Sequence, residues 1–296
     1  MKQTLPFSRA FLGRLAGVRQ LAAALLRGSA PTAVVSGLPV EFDRHRTYQP
    51  GDDPRWIDWN IFARLDQLAV KVFQVDEEID VLLLLDVSAS MGQGRSDKHR
   101  AATAAAVAFA YLGLLTAQSV TVGRYADRLL ELRGPYRHPP ALPLLARLLL
   151  EPTTAGGTDL GASLAFLATS RRRVSVVVVT DGFQREPLEK VARLVAGQGH
   201  RLLLLLVADQ GDRSPRLRGN VRLVDAEGGG VIRLMADQDL EDQVRQRIER
   251  HFAGLVRNLR ALGAQVLSLP VEAPFEPAFL ELLRGTAADP AAVRRS

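Results

Sequence analysis

The chain has 296 residues, 47% of them hydrophobic and 24% charged, the balance of a soluble globular protein with length for one large domain, or one domain and a smaller one. It contains no cysteine, which excludes disulfides, thiolate metal sites and a cysteine nucleophile, and fits a reducing compartment. The net charge of +6 and a pI near 10.1 rest on arginine far more than lysine; without a clustered basic motif they read as the Arg-, Ala- and Leu-rich composition of a high-GC genome, not a nucleic-acid signature.

Residues 1–30 read as two short helices, Phe7 to Leu15 and Ala16 to Arg27, basic throughout and with no acidic residue before Glu41. Such a segment either packs its Leu and Phe face onto a domain with arginines in water, or makes peripheral contact with a membrane surface. Arg9, Arg14 and Arg19 interrupt the apolar residues, so no cleavable signal is expected. The longest apolar runs, Val81 to Leu85 and Leu202 to Ala208, are strand-sized and fall short of the roughly 20 residues of a membrane helix. The expected compartment is the cytoplasm.

Residues 36–78 have another texture. Pro50-Gly51 and Asp53-Pro54 mark turns, Leu68 to Phe73 alternates as a strand does, and Asp52 to Arg64 is dense in Asp, Arg and Trp. That density suits Asp–Arg pairs and indoles pinning a small subdomain, or a partner surface. The sequence divides as 1–78, a helical segment and lead-in subdomain, and 79–296, a larger α/β domain.

The larger domain opens on I-D-V-L-L-L-L-D-V-S-A-S-M-G, Ile79 to Gly92. Its five apolar residues suit a strand buried on both faces, and the chain then turns at once to Asp86, Ser88 and Ser90. Oxygen donors at alternate positions, where a central strand runs into a loop, converge above the sheet edge at which open α/β sheets bind ligands. One carboxylate and two hydroxyls suit Mg²⁺, Mn²⁺ or Ca²⁺ rather than zinc. Next come an Ala-rich helix over Lys98 to Gln118, a strand pair over Ser119 to Tyr125 and Leu129 to Leu132, and a helix over Pro140 to Leu150. A Gly/Thr loop over Glu151 to Gly157 leads to a helix over Leu160 to Ser170, with Asp159 placed as its cap. A strand over Val174 to Thr180, a helix over Pro187 to Ala196 and a strand over Arg201 to Ala208 follow. Asn220 to Met235 reads as a hairpin, Leu240 to Leu262 as a long amphipathic helix, Gln265 to Leu269 as a strand and Pro277 to Leu283 as a helix. Alternating strands and helices predict a parallel-rich layered α/β sheet.

The D-x-S-x-S of Asp86, Ser88 and Ser90 resembles the first segment of the metal-ion-dependent adhesion site of von Willebrand factor A domains. The family's other two parts match Thr158 in Gly156-Gly157-Thr158-Asp159 and Asp181 in Val179-Thr180-Asp181-Gly182. Upstream, R-x-Y-x-P-G-D-D-x-R-x-I-D-W over Arg46 to Trp59, followed by Ala63-Arg64, looks like the DUF58 family, which couples this lead-in to a von Willebrand A-like domain; many members carry membrane helices upstream, and this chain resembles the shorter soluble form.

The resemblance implies a von Willebrand A-like three-layer sandwich and a cation held by Asp86, Ser88, Ser90, Thr158 and Asp181. The serines bind directly, Thr158 binds when a ligand is engaged, and the aspartates act often through water. Mg²⁺ is the expected ion, with Mn²⁺ or Ca²⁺ as alternatives. Held mostly by hydroxyls, it stays electrophilic at its open corner, where a partner's Glu or Asp completes the shell. The partner implied is a MoxR-type AAA+ ATPase or its substrate. Asp97 and Asp127 read as solvated.

Catalysis is not expected. Ser88 stands where a haloacid-dehalogenase-type enzyme needs its second Asp, there is no G-x-S-x-G, P-loop or H-E-x-x-H, and the histidines are scattered. The competing reading is a nucleic-acid or anionic-surface binder using the Arg-rich N-terminus and the Arg245 to Arg260 helix face, and a less favoured one is a Mg²⁺-dependent hydrolase.

Overall fold

The computed structural model of the protein describes residues 5–27, 41–48, 57–74, 79–92, 98–117, 119–151, 156–170, 172–184, 186–225 and 230–285. In chain order the elements are α1 (Arg9–Gly17), α2 (Arg19–Arg27), β1 (Glu41–Thr47), α3 (Trp59–Leu65), β2 (Ala69–Gln74), β3 (Asp80–Asp86), α4 (Ala89–Gly92) and α5 (Lys98–Thr116). There follow β4 (Ser119–Tyr125), β5 (Leu129–Tyr136), α6 (Leu142–Leu149), α7 (Leu160–Leu164), β6 (Val174–Thr180), α8 (Leu188–Gly197) and β7 (Arg201–Ala208). The chain closes with α9 (Gln210–Arg213), β8 (Gly219–Val224), β9 (Val231–Ala236), α10 (Gln238–Ala261), β10 (Gln265–Pro270) and α11 (Phe275–Leu283).

The central sheet has six strands in the order β10-β7-β6-β3-β4-β5, all parallel except the edge strand β5. The runs in β3, β6 and β7 are apolar at every position because both faces are covered. Successive side chains point to opposite faces. Leu83, Leu85, Val177, Val179, Leu203 and Leu205 enter one core with α1, α2, α5, α6 and α11. Leu82, Leu84, Val176, Val178, Leu204 and Leu206 enter a second with α7, α8 and α10. The result is a three-layer α/β sandwich. Among the described residues no helix is long and apolar enough to cross a membrane.

Helix α5 is buried almost all round, because α1, α2, α6 and α11 cover the side that the sheet does not. Its alanines allow that close approach. Phe11 of α1 meets Phe279 of α11 at 6.3 Å between ring centroids, and Phe279 meets Phe109 of α5 at 5.1 Å. The N-terminal helices therefore bury their Phe and Leu face in the domain: Phe11 and Leu15 are fully enclosed.

Glu276, in the first turn of α11, fixes the start of α1: it accepts the Ser8 N–H at 2.9 Å and pairs with Arg14. The Ser8 hydrogen bond, helped by Arg14, holds its carboxyl below the usual glutamate range. A depressed carboxyl contributes stability that is present above its unfolded pKa and is lost as pH falls through the folded one. Glu276→Gln is expected to lower the melting temperature by about 1–3 °C at neutral pH. The difference from wild type should close below about pH 4 in a pH series of thermal melts.

The chain forms two compact units, Met1–Thr32 with Ile79–Ser296, and Ala33–Glu78. The stretch 1–78, drawn in the sequence as one region, is thus divided, since the apolar face of α1 and α2 belongs to the sheet's core. In the smaller unit β1 and β2 pair antiparallel, from Glu41 opposite Gln74 to Thr47 opposite Ala69. Asp58 caps α3 by accepting the Asn60 N–H at 3.0 Å, and its own N–H bonds Ala69 O at 2.8 Å. One aspartate of the dense Asp52 to Arg64 stretch thus serves local structure; 52–56, with the Asp53-Pro54 turn, lie outside the described residues, as does Pro50-Gly51. Strand β1 has no apolar alternation to betray it.

The helix expected over Leu160 to Ser170 divides into α7 and a 3-10 stretch, Ala165–Thr169. Ser163 Oγ donates back to Asp159 O at 2.8 Å, a bond that competes with regular helix geometry.

Candidate metal centre

The chain leaves β3 for β4 on one side and returns to place β6 on the other. Between β3 and β6 the strand order reverses, and the crevice at the carboxyl ends of those strands is where such sheets bind ligands. Register sets Leu85 beside Val179, so Asp86 and the Thr180–Asp181 pair leave neighbouring strands at one level. A cavity of about 100 Å³ beside Ser175, Leu202 and Gly263 lies at the opposite end of the strands.

Asp86 is fully buried. Its Oδ1 accepts the Ser88 N–H at 2.9 Å, turning the chain so that the serines follow directly. Its Oδ2 accepts Thr180 Oγ1 at 2.7 Å and the Tyr125 hydroxyl at 3.4 Å. Burial, reinforced by the charge of Asp181, pushes the Asp86 carboxyl up to about 6 against the Ser88 and Thr180 hydrogen bonds. Burial and neighbouring Asp86 raise Tyr125 well above its ordinary value, keeping it a neutral donor.

Ser88 Oγ and Ser90 Oγ lie 3.1 Å apart. Ala89 N–H bonds Gly156 O at 3.2 Å, which draws the Gly156–Thr158 segment alongside the serines, with Thr158 buried. Asp159 is the helix cap expected of it, accepting the Ala162 N–H at 2.8 Å. Asp181, also buried, turns its Oδ1 to the Phe183 N–H at 3.0 Å. Gly182 between them has φ +86°, and a side chain there would press on Leu206 and Phe252 at 3.1 and 3.2 Å.

A buried cationic side chain stands beside Asp181. Lys98, the first residue of α5, is only 2% exposed and places Nζ 2.9 Å from Asp181 Oδ2 and 2.6 Å from Asp212 Oδ2. Burial disfavours its charge, but Asp181 and Asp212 outweigh burial and raise its pKa above the ordinary lysine value, so the ammonium is charged. Asp212, on α9, is raised by its burial despite Lys98. Asp209, buried at the start of α9, accepts the Gly211 N–H at 2.6 Å.

The donor set suits a hard divalent ion. Two carboxylates and three hydroxyls come from three separated segments, and the buried Asp86 beside Asp181 is a charge that a cation would compensate. Among the described residues no three His, Cys, Asp or Glu side chains form a metal-holding group; a site built on Asp86 and Asp181 would have to draw its other oxygens from Ser88, Ser90 and Thr158. Asp127 is exposed and pairs with Arg128, while Asp97 lies outside the described residues. Thr180, Lys98 and Asp212 were not singled out in the sequence. The signal for Thr180 was its place directly before Asp181, at the end of the apolar run of β6.

A family model described as a protein of unknown function, DUF58, matches residues 44–254. Uncharacterized proteins of Mycobacterium bovis and Mycobacterium tuberculosis are each 30% identical to the chain over 247 residues, 80% of this chain and 76% of theirs. Among solved structures, the conserved hypothetical protein BatB from Bacteroides thetaiotaomicron aligns over 71% of this chain and 98% of its own, at 15% identity and a TM-score of 0.44. An aerotolerance-related membrane protein from Bacteroides fragilis aligns over the same shares at 16% identity and a TM-score of 0.34.

Proposed function

The chain belongs to the DUF58 family, and on that premise we propose that it is a metal-ion-dependent protein-binding adaptor. Asp86, Ser88, Ser90, Thr158 and Asp181 hold Mg²⁺, with Mn²⁺ or Ca²⁺ as substitutes, in a site of the von Willebrand A adhesion type. The observation that carries the reading is convergence: the ends of β3 and β6 and the Gly156–Thr158 segment meet at the switch point of the sheet, bringing together oxygen donors from distant parts of the chain. The ion would supply an electrophilic corner for an acidic side chain of a partner. The partner proposed from the family resemblance is a MoxR-type AAA+ ATPase, in the cytoplasm.

Both oxygens of Asp86 and both of Asp181 accept hydrogen bonds from within the protein, which fixes the orientation of the carboxylates, as metal ligands require, and leaves lone pairs for an ion. The basic surface is interrupted: Arg14 pairs with Glu276, and Arg245 on α10 pairs with Asp242.

The test is capture of a purified MoxR-type ATPase, from the genome that encodes this chain, on the immobilised protein across Mg²⁺, EDTA and salt series. Capture that needs Mg²⁺ and is lost in EDTA is the expected result. Capture indifferent to EDTA overturns the reading, and indifference joined to a steep fall with salt assigns the interaction to the arginines instead.

A further inference from the structure

Lys98 is the first described residue of helix α5, and its side chain is buried, which disfavours an ammonium. The compensation comes from Asp181, just after β6, and from Asp212 on α9. Burying a charge breaks a general preference, and breaks of this kind gather at functional sites.

We propose that Lys98 is a resident cation of the metal centre, competing with the divalent ion for Asp181 and thereby setting the affinity of the site. The inference rests on the metal-binding reading above. Asp181 Oδ1 is taken by the Phe183 N–H and Oδ2 by the Lys98 ammonium. A divalent ion that draws directly on Asp181 must share or displace that ammonium, and it meets the ammonium's repulsion as it enters. Asp212 moderates the competition by offering Nζ a second carboxylate, itself 29% exposed, to which the ammonium can withdraw. Without a divalent ion, the same ammonium ties the loop after β6 to α9 and offsets the mutual repulsion of Asp181 and Asp212 by bridging them. The site is then prebuilt, and its ion exchangeable.

A merely structural staple predicts the reverse. If Lys98 only held the loops in place, removing it would loosen the donors and weaken metal binding. Competition predicts tighter binding.

The test is calorimetric titration of the full chain with Mn²⁺, and thermal melts in EDTA and in Mn²⁺. Lys98→Met is expected to bind Mn²⁺ about tenfold more tightly or better. It should melt lower than wild type in EDTA and gain more than wild type from the ion. Asp212→Asn is expected to move affinity the other way, several-fold weaker, because the ammonium then rests on Asp181 alone. Arg100→Met removes an equal charge from the exposed side of the same helix and should leave affinity unchanged. If Lys98→Met does not fold, Lys98→Gln, which keeps a polar side chain and removes the charge, is read in its place: tighter Mn²⁺ binding supports the competition, and unchanged or weaker binding overturns it. Equal Mn²⁺ affinity in wild type and Lys98→Met overturns the inference while the metal site stands. No binding by either, or binding that Ser88→Ala leaves untouched, removes the metal reading itself and this inference with it.

Discussion

Ser88→Ala is expected to abolish Mg²⁺-dependent capture of the partner while costing about 1 kcal/mol of stability. The hydroxyl is a direct donor in the proposed shell, and its bonds among the described residues are to Ser90 Oγ and the Asp86 carboxylate. The backbone N–H of residue 88 still reaches Asp86 Oδ1, so the turn survives the substitution.

Asp86 is the more informative position, because stability and binding separate there. Asp86→Ala orphans the Ser88 N–H and the Thr180 hydroxyl, each worth about 1–3 kcal/mol when left buried without a partner, and capture and stability fall together. Asp86→Asn keeps the volume and removes the buried charge, so capture is lost while the protein in EDTA melts at or above the wild-type temperature. Denaturation in EDTA beside the capture assay reads both effects. Capture retained by Asp86→Asn would overturn the metal's role in docking.

Phe279→Ala is expected to destabilise the protein by about 3–5 kcal/mol, through lost transfer energy and the cavity left behind. Its ring is fully enclosed and meets Phe11, Phe109 and Phe275, so the cavity opens where α1, α5 and α11 join. Urea denaturation measures the loss. Mg²⁺-dependent capture should persist below the lowered transition, because the donors stand at the ends of β3 and β6. A loss under 1 kcal/mol would show that the N-terminal helices are not a working part of the core.

Much of the fold was legible because it depends on local pattern. Strands β3, β6 and β7 announced themselves as apolar runs of strand length, and Asp159 as a residue of capping type ahead of a helix. Strand β1 did not: Glu41–Thr47 belongs to a two-stranded pair and carries no period-two apolar signal. In the site, Asp86, Ser88 and Ser90 were legible as neighbours in the chain. Thr158 and Asp181 were reached through a family resemblance that supplied their order and spacing.

The sequence alone determined an alternation of short apolar runs with helix-length segments, and therefore a layered, parallel-rich sheet, since an apolar run of strand length asks for cover on both faces. Tertiary structure decided that the N-terminal helices roof α5, and that Lys98 finds Asp181 and Asp212 across 83 and 114 residues of chain. The physical reason is that hydrophobic periodicity is a property of neighbours along the chain. The pairing of one buried ammonium with two carboxylates depends on which loops the strand order brings to the same edge, and no local pattern encodes that.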